Sequence, residues 1–390
     1  MKLTPQEQTI LRLLRSDPLL DAAGLADRLG TTKASVSVAL SNLTRKGAIL
    51  GRGYLVRGEA AVVVVGGAVM DVKARSSAPL DPATSNPGEV DTDPGGVGRN
   101  IAENLARLGT PTHLVAAVGS DSFGEALLAH TRGAGVQLDH VVAGSRPTGT
   151  YLAVLDHDGD LSVAVSDMSA TDALTVADIE PARSLIQNCD LLVVDGNIPI
   201  EVATWLCDIA RSADVPVVIE PVSVVKAGRL RPLLAPERPI LAVTPNIAEL
   251  AALVDHDVAD TIPEITRATT ELHALGVRHV WVRRGARGSL LSSAPDVVAA
   301  DADADADTGA SRPTVTTNTA VSADVVDVTG AGDSMTAGFV HALLRDDDAV
   351  AAAAFGQATA ALTTESAHTV RPDLTHALVA GRLTTQQGTS

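Results

Sequence analysis

The sequence predicts an α/β protein: a sheet covered by helices on both faces, with a small β lid, behind a small helical N-terminal domain. Three observations predict it. Near-continuous apolar runs at 60–66, 113–118, 191–195, 215–219, 240–244 and 279–283 read as strands buried on both faces. Helical stretches at 99–108, 122–133, 200–212 and 264–275 lie between them, and that alternation implies a parallel sheet between two helical layers. Charge divides the chain. Residues 1–58 hold nine Lys/Arg and four Asp/Glu, a net of +5; the remainder holds 21 against 43, a net of −22.

Bulk properties agree. A chain of 390 residues exceeds one ordinary domain, so two are expected, 1–58 and 59–390. Hydrophobic residues make up 45% and aromatics 2%, so the core must be Val, Leu, Ile and Ala. Cys189 and Cys207 fit no C-x-x-C pattern, which argues against a disulfide framework or metal cluster and for a reducing compartment. The first residues have no apolar signal region and no run reaches membrane-spanning length. The expectation is a soluble cytoplasmic protein.

The basic head opens with Thr4-Pro5-Gln6-Glu7, a capping box with Pro at the first helical position. Ile10, Leu11 and Leu14 follow at helical spacing. Asp21 caps a second helix carrying Leu25 and Leu29, stopped by Gly30. Thr31 or Thr32 opens a third, with Val36, Ala39, Leu40 and Leu43 on one side and Lys33, Ser35, Ser37, Asn42, Arg45 and Lys46 on the other. Short strands at Ala48–Leu50 and Tyr54–Val56 flank Arg52. The pattern resembles a winged helix-turn-helix domain. That implies duplex DNA as a partner, with the third helix, which carries Lys33, Ser35, Ser37 and Arg45, entering the major groove and Arg52 in the wing reaching phosphate. A docking or dimerisation module is the alternative.

In the large body, ligands of parallel sheets bind at the carboxyl ends of strands. Asp71 is placed just after the first strand, Asn246 after the Leu241–Val243 strand, and Asp333 after a strand ending at Val328. Segments 72–93 and 148–167 break the alternation and read as lid strands over the site. Residues 299–312 alternate Ala and Asp and read as a solvated acidic loop; they lack the glycine turn and terminal Glu of a calcium loop. The glycine cluster at 94–98, ahead of Asn100, lets backbone approach a ligand closely. No lysine precedes Ser or Thr, so no Walker A loop exists. Phosphate binding then points to Gly330-Ala331-Gly332-Asp333, between the apolar run Ala323–Val328 and a helix over Ser334–Leu344. Small residues there bare N–H groups at a helix N-terminus, which binds anions. A carboxylate beside such a cradle suits a base that takes a hydroxyl proton during phosphoryl transfer.

With both glycine clusters in view, residues 60–380 resemble the ribokinase-like carbohydrate kinases of the phosphofructokinase-B type. Both signatures are present, GGVGRN at 95–100 and DVTGAGD at 327–333. The resemblance implies a three-layer α/β/α sandwich and ATP-dependent phosphorylation of a sugar or nucleoside hydroxyl. By it, Asp333 is the base and the Gly330, Ala331, Gly332 backbone the anion hole. Asn246 and Glu249 match an N-x-x-E motif that organises magnesium through water, and carbonyls around Asp327 hold a monovalent cation, K+. Asp71, Gly95, Gly96, Asn100 and Asp167 fall on the acceptor side; Gly285, Gly288, Lys226 and Gln357 fall on the nucleotide side.

A narrower resemblance, to bacterial pseudouridine kinases, rests on Ser85-Asn86-Pro87-Gly88, the run 94–109, Ser166-Asp167-Met168, Asp195-Gly196-Asn197-Ile198, Pro221-Val222-Ser223 with Lys226, and Arg371-Pro372-Asp373-Leu374. It implies the 5′-hydroxyl of pseudouridine as acceptor; another ribonucleoside or a sugar is the alternative. Three features depart from the pattern. Glu220 stands where relatives have Asp before Pro, Arg283 and Arg284 replace a small hydroxyl and an apolar residue, and 299–312 is inserted. A second class of reading is a ligand-sensing transcriptional regulator built on a kinase fold; intact Asp333, Asn246 and Glu249 favour the enzyme. A homodimer is expected, with no membrane contact.

Overall fold

The apolar runs pair into one eight-stranded sheet. Its order is Thr314–Asn318, Ser289–Ser293, Val277–Arg283, Ile240–Val243, Val217–Glu220, Leu191–Asp195, Val62–Val65, Thr112–Val115. The computed structural model describes residues 3–16, 20–49, 61–295 and 312–387, in two units divided at Ala60/Ala61.

From Val277–Arg283 to Thr112–Val115 the strands run parallel. Val63 and Val65 pack with one helical layer, which includes Ile200–Ser212, Ile247–Val254 and Ile262–Ala274. Val62 and Val64 pack with the other, which includes Val97–Arg107, Ala331–Leu343 and Ala349–Thr364. Successive side chains of a strand point to opposite faces, so an all-valine strand is buried on both. The fold class is the ribokinase-like one expected.

Three expectations need correction. The sheet is mixed, because Ser289–Ser293 and Thr314–Asn318 add antiparallel. The turn Arg284–Gly288 is long enough for a hairpin and too short for a parallel crossover. The 113–118 run is two strands: Thr112–Val115 joins the main sheet, while Ala117–Gly119 pairs with Val142–Gly144. Ala323–Val328 forms no strand. Its Val326 and Asp327 N–H groups donate to Thr364 O at 2.8 and 3.2 Å rather than to a ladder.

The segments expected to form a lid make a four-stranded sheet ordered Gly88–Gly95, Val69–Ser76, Gly149–Leu155, Leu161–Asp167. Asp71, expected just after the first strand, lies within the next one, Val69–Ser76, which belongs to this second sheet. Opposite residues share a face, so Asp71 stands with Tyr151, Asp93 and Ser166. The other face carries Val90, Leu152, Val163 and Val165, all exposed.

The N-terminal unit has its own core of Ile10, Leu14, Leu25, Val36, Leu40 and Leu43. Its helices are Pro5–Ser16, Ala22–Leu29 and Lys33–Arg45. The first has the reciprocal cap: Thr4 N donates to Glu7 Oε2 at 2.7 Å and Glu7 N to Thr4 Oγ1 at 3.2 Å. Asp21 caps the second and Thr32 the third. On the third helix Lys33, Ser37 and Arg45 are exposed and Ser35 is half-buried. Lys46 is exposed as expected and is also paired with Glu7 at 2.8 Å. Leu50, Arg52, Tyr54–Val56 and nearly all of the acidic loop lie outside the described residues.

Candidate active site

A cleft of about 660 Å³ opens at the carboxyl end of the sheet. Glu220, Asn246, Glu249, Arg283, Asp333 and Gln357 bring polar groups to it; Val325, Val328, Ala360 and Ala361 give it an apolar side. Val325 and Val328, from the segment that makes no strand, thus line the cleft.

Gly330 is the N-cap of helix Ala331–Leu343, at φ +77°. A side chain there would meet Thr369 O at 2.1 Å, so close backbone approach as well as left-handed geometry requires glycine. The first turn holds Ala331, Gly332 and Asp333, whose N–H groups have no acceptor within the helix; that of Ala331 donates to Val328 O at 3.2 Å. Burial pushes the Asp333 carboxyl up to about 7. Asn100 Nδ2 donates to Asp333 Oδ2 at 2.7 Å.

That amide is held from behind. Arg99, almost wholly buried, donates to Asn100 Oδ1, to Gly95 O at 3.0 Å and to Pro94 O at 2.9 Å, and is paired with Glu103. With its oxygen taken by a guanidinium, the Asn100 amide must present its NH₂ to Asp333. Sequence reading assigned Asn100 to acceptor hydroxyls; in the structure its amide donates to the Asp333 carboxylate. Arg99 and Glu103 were missed, and their i,i+4 spacing behind Asn100 was the available signal. A side chain on Gly95 would strike the Asp71 carboxylate, so those two touch, and Gly96 caps helix Val97–Arg107. Burial pushes Asp71 up to about 6.

Asn246 and Glu249 form a reciprocal cap on helix Ile247–Val254, with both bonds at 2.9 Å. The cap fixes Glu249 at the cleft, where burial raises its pKa. Glu249 Oε2 also accepts Arg283 Nη2 at 3.2 Å. Arg283 forks onto Glu220 at 2.7 and 3.0 Å. Two departures from the family pattern therefore answer each other. Arg284 instead bonds Asp260 at 2.6 Å and is not on the cleft wall.

Gly285, Gly288 and Gln357 line the cleft. Gln357 is fixed by Ser289 Oγ at 3.0 Å and Thr319 O at 2.6 Å. Asp71, Gly95, Gly96, Asn100, Gly330 and Asp327 do not line the cleft itself, although Asn100 reaches Asp333 on its wall, and Lys226 and Asp167 are bonded elsewhere. Lys226 donates to Asn197 Oδ1, beside the buried Asp195 that accepts from Gly67 and Gly98 N–H groups at 2.8 Å each. Asp167, exposed at the end of strand Leu161–Asp167, accepts from Ser169 N at 2.9 Å. The Asp327 carboxylate accepts from Thr329 N at 2.8 Å and Oγ1 at 2.7 Å, and faces Lys73 at 3.5 Å.

The pfkB family carbohydrate kinase model matches residues 59–376, and the chain belongs to that family of sugar and nucleoside kinases. It is 34% identical to a sugar kinase of Escherichia coli K12, over 71% of this chain and 75% of that one. It is 32% identical to the pseudouridine kinase of the same organism, over 82% of this chain and 95% of that one. A carbohydrate kinase from Agrobacterium tumefaciens superposes with a TM-score of 0.67 at 28% identity, over 83% of this chain and 97% of that one.

Proposed function

We propose that this chain phosphorylates the 5′-hydroxyl of a nucleoside from ATP, with pseudouridine the foremost acceptor. The observation that carries the reaction is Asp333: a buried carboxyl near 7, aligned by Asn100, on a helix N-terminus that opens to the cleft. A base works best with a pKa near the working pH. Its carboxylate takes the hydroxyl proton as the oxygen–phosphorus bond forms and the bond to ADP breaks. First-turn N–H groups offset charge that develops on the transferring group.

The cleft suits a magnesium nucleotide. A glycine-lined end fits phosphates, an apolar end fits a purine, and Glu249 is a hard oxygen donor suited to magnesium through water. Magnesium and ATP, when bound, supply charge neutralisation and the phosphoryl group. Carbonyls near Asp327 would be the donors for a monovalent cation, since its carboxylate is committed to Thr329 and Lys73.

The acceptor identity is supported by the similarity to the pseudouridine kinase. A coupled assay over pseudouridine, uridine, adenosine, ribose and fructose phosphate tests it. Pseudouridine should give the highest kcat/KM; ribose or a sugar phosphate ahead of it would reject the assignment. For the N-terminal unit the proposal is duplex DNA, supported by exposed Lys33, Ser37 and Arg45 on its third helix. For the kinase unit it is a homodimer formed through the apolar outer lid face, a self-complementary patch of the kind two-fold dimers use. Light scattering of Val163→Lys/Val165→Lys should show monomer.

A further inference from the structure

Arg283 ends strand Val277–Arg283 with its side chain 12% exposed, on the wall of the cleft. A Cβ on Gly332 would lie 2.6 Å from Arg283 Nη1, so the guanidinium rests on the first turn of helix Ala331–Leu343. That turn is the positive end of the helix dipole, and it opposes a cation. Glu220 and Glu249 hold Arg283 there, with the Asp333 charge nearby. Glu220 does not depend on it for anchoring: Thr336 Oγ1 donates to it at 2.7 Å and Thr244 Oγ1 at 2.8 Å. Three guanidinium N–H groups are engaged by the two carboxylates, out of five such donors on an arginine. A planar cation, pinned by carboxylates against an anion-binding helix end, has the geometry of a phosphate clamp with its partners preloaded.

We propose that Arg283 contacts the transferring phosphoryl group, exchanging its bonds to Glu220 and Glu249 for phosphoryl oxygens when nucleotide binds. The exchange frees the Glu249 carboxylate for the magnesium water shell and puts a fixed positive charge where negative charge develops. No bond is made or broken beyond the transfer itself. The inference rests on the kinase reading.

The test uses full-length wild type, Glu220→Gln/Arg283→Gln and Arg283→Lys. The double variant removes both charges of the Glu220–Arg283 pair and leaves Glu249 held by the Asn246 N–H alone; a cooperative melt verifies the fold. Arg283→Lys keeps the charge but loses the fork. Each folded variant should lose about 10²-fold or more in kcat, the scale of a lost oxyanion donor, with the acceptor KM unchanged. Affinity for magnesium ATP should fall about tenfold, as for one lost charged hydrogen bond, while affinity for AMP stays the same. Free guanidinium added to the double variant should restore part of kcat. Wild-type kcat and ATP affinity in either folded variant would reduce Arg283 to a tie between strands and overturn the proposal while leaving the kinase reading intact. If wild type binds ATP but phosphorylates no acceptor in the panel, the acceptor assignment fails and the ATP and AMP titrations still decide Arg283. If wild type binds no ATP, both fall.

Discussion

Asp333 answers two opposing demands. In its proposed role as a base it must be ionised, yet burial favours its neutral form and raises its pKa to about 7. Two consequences have opposite signs. Activity should climb with pH: kcat/KM should rise through an apparent pKa near 7. Stability should move the other way, because the folded state binds a proton between the ordinary carboxyl value of 3.8 and about 7 that the unfolded chain does not. That contribution is complete below the unfolded value and is lost as pH rises through the folded one. Asp333→Asn, which can still accept from Asn100, should cut turnover ~10²–10⁴-fold. It should also melt above wild type, by a margin that widens from pH 5 to pH 8. Near-wild-type turnover would remove Asp333 from the base role. Glu249→Gln separates metal from fold in the same way. Glutamine can keep the reciprocal cap on Asn246, so the melt should hold while the magnesium concentration for half-maximal rate rises; superimposable magnesium titrations would reject the role.

Elements show how far sequence carries. Strand and helix positions were legible because a doubly buried strand can only be an apolar run, and caps such as Asn246-x-x-Glu249 mark helix starts. The glycine turn ahead of helix Ala331–Leu343 was legible too, because glycines just before an apolar helical run mark where the helix begins. Partners across the fold were not legible. Nothing local says that Ala323–Val328 finds no ladder, that Asn100 turns to Asp333, or that Arg283 meets Glu220 across an intervening strand. The partners of buried His341 are another such case. His341 lies inside helix Ala331–Leu343 between Thr110 Oγ1 at 2.7 Å and His376 Nδ1 at 2.9 Å. Burial, with the neighbouring His376, lowers its pKa to about 4. The unfolded chain then takes up a proton between about 6.5 and about 4 that the fold refuses. This contribution is present above 6.5 and is lost as pH falls through the folded value. His341→Gln should therefore lower the urea midpoint at pH 7.5 and do so less at pH 4.5. An equal gap at both pH values would mean that His341 titrates normally.

At the scale of the whole molecule, charge is divided by sequence: +5 over residues 1–58 and −22 over the rest. An acidic body repels nucleic acid, so DNA affinity must come from the head alone. The head has its own core and caps, and its third helix leaves Lys33, Ser37 and Arg45 exposed while Lys46 is engaged by Glu7. The full chain should bind a palindromic duplex, with affinity falling steeply in salt as phosphate contacts release counterions. Arg45→Ala, a lost phosphate contact, should weaken all sequences alike and flatten the salt slope by about one unit. Ser37→Ala should erode preference for the specific site instead, because a short hydroxyl contributes to base edges rather than to bulk charge. Lys46→Ala should do neither in proportion to its charge, since its ammonium is already spent on Glu7, and should lower the melting temperature of the head. A docking module predicts a different set: no shift at micromolar protein in low salt, and loss of the oligomer when residues 1–58 are deleted. Electrophoretic shift titrations at two salt concentrations, run beside a sizing column on the truncated chain, decide between them, and absence of any shift would end the DNA-binding reading.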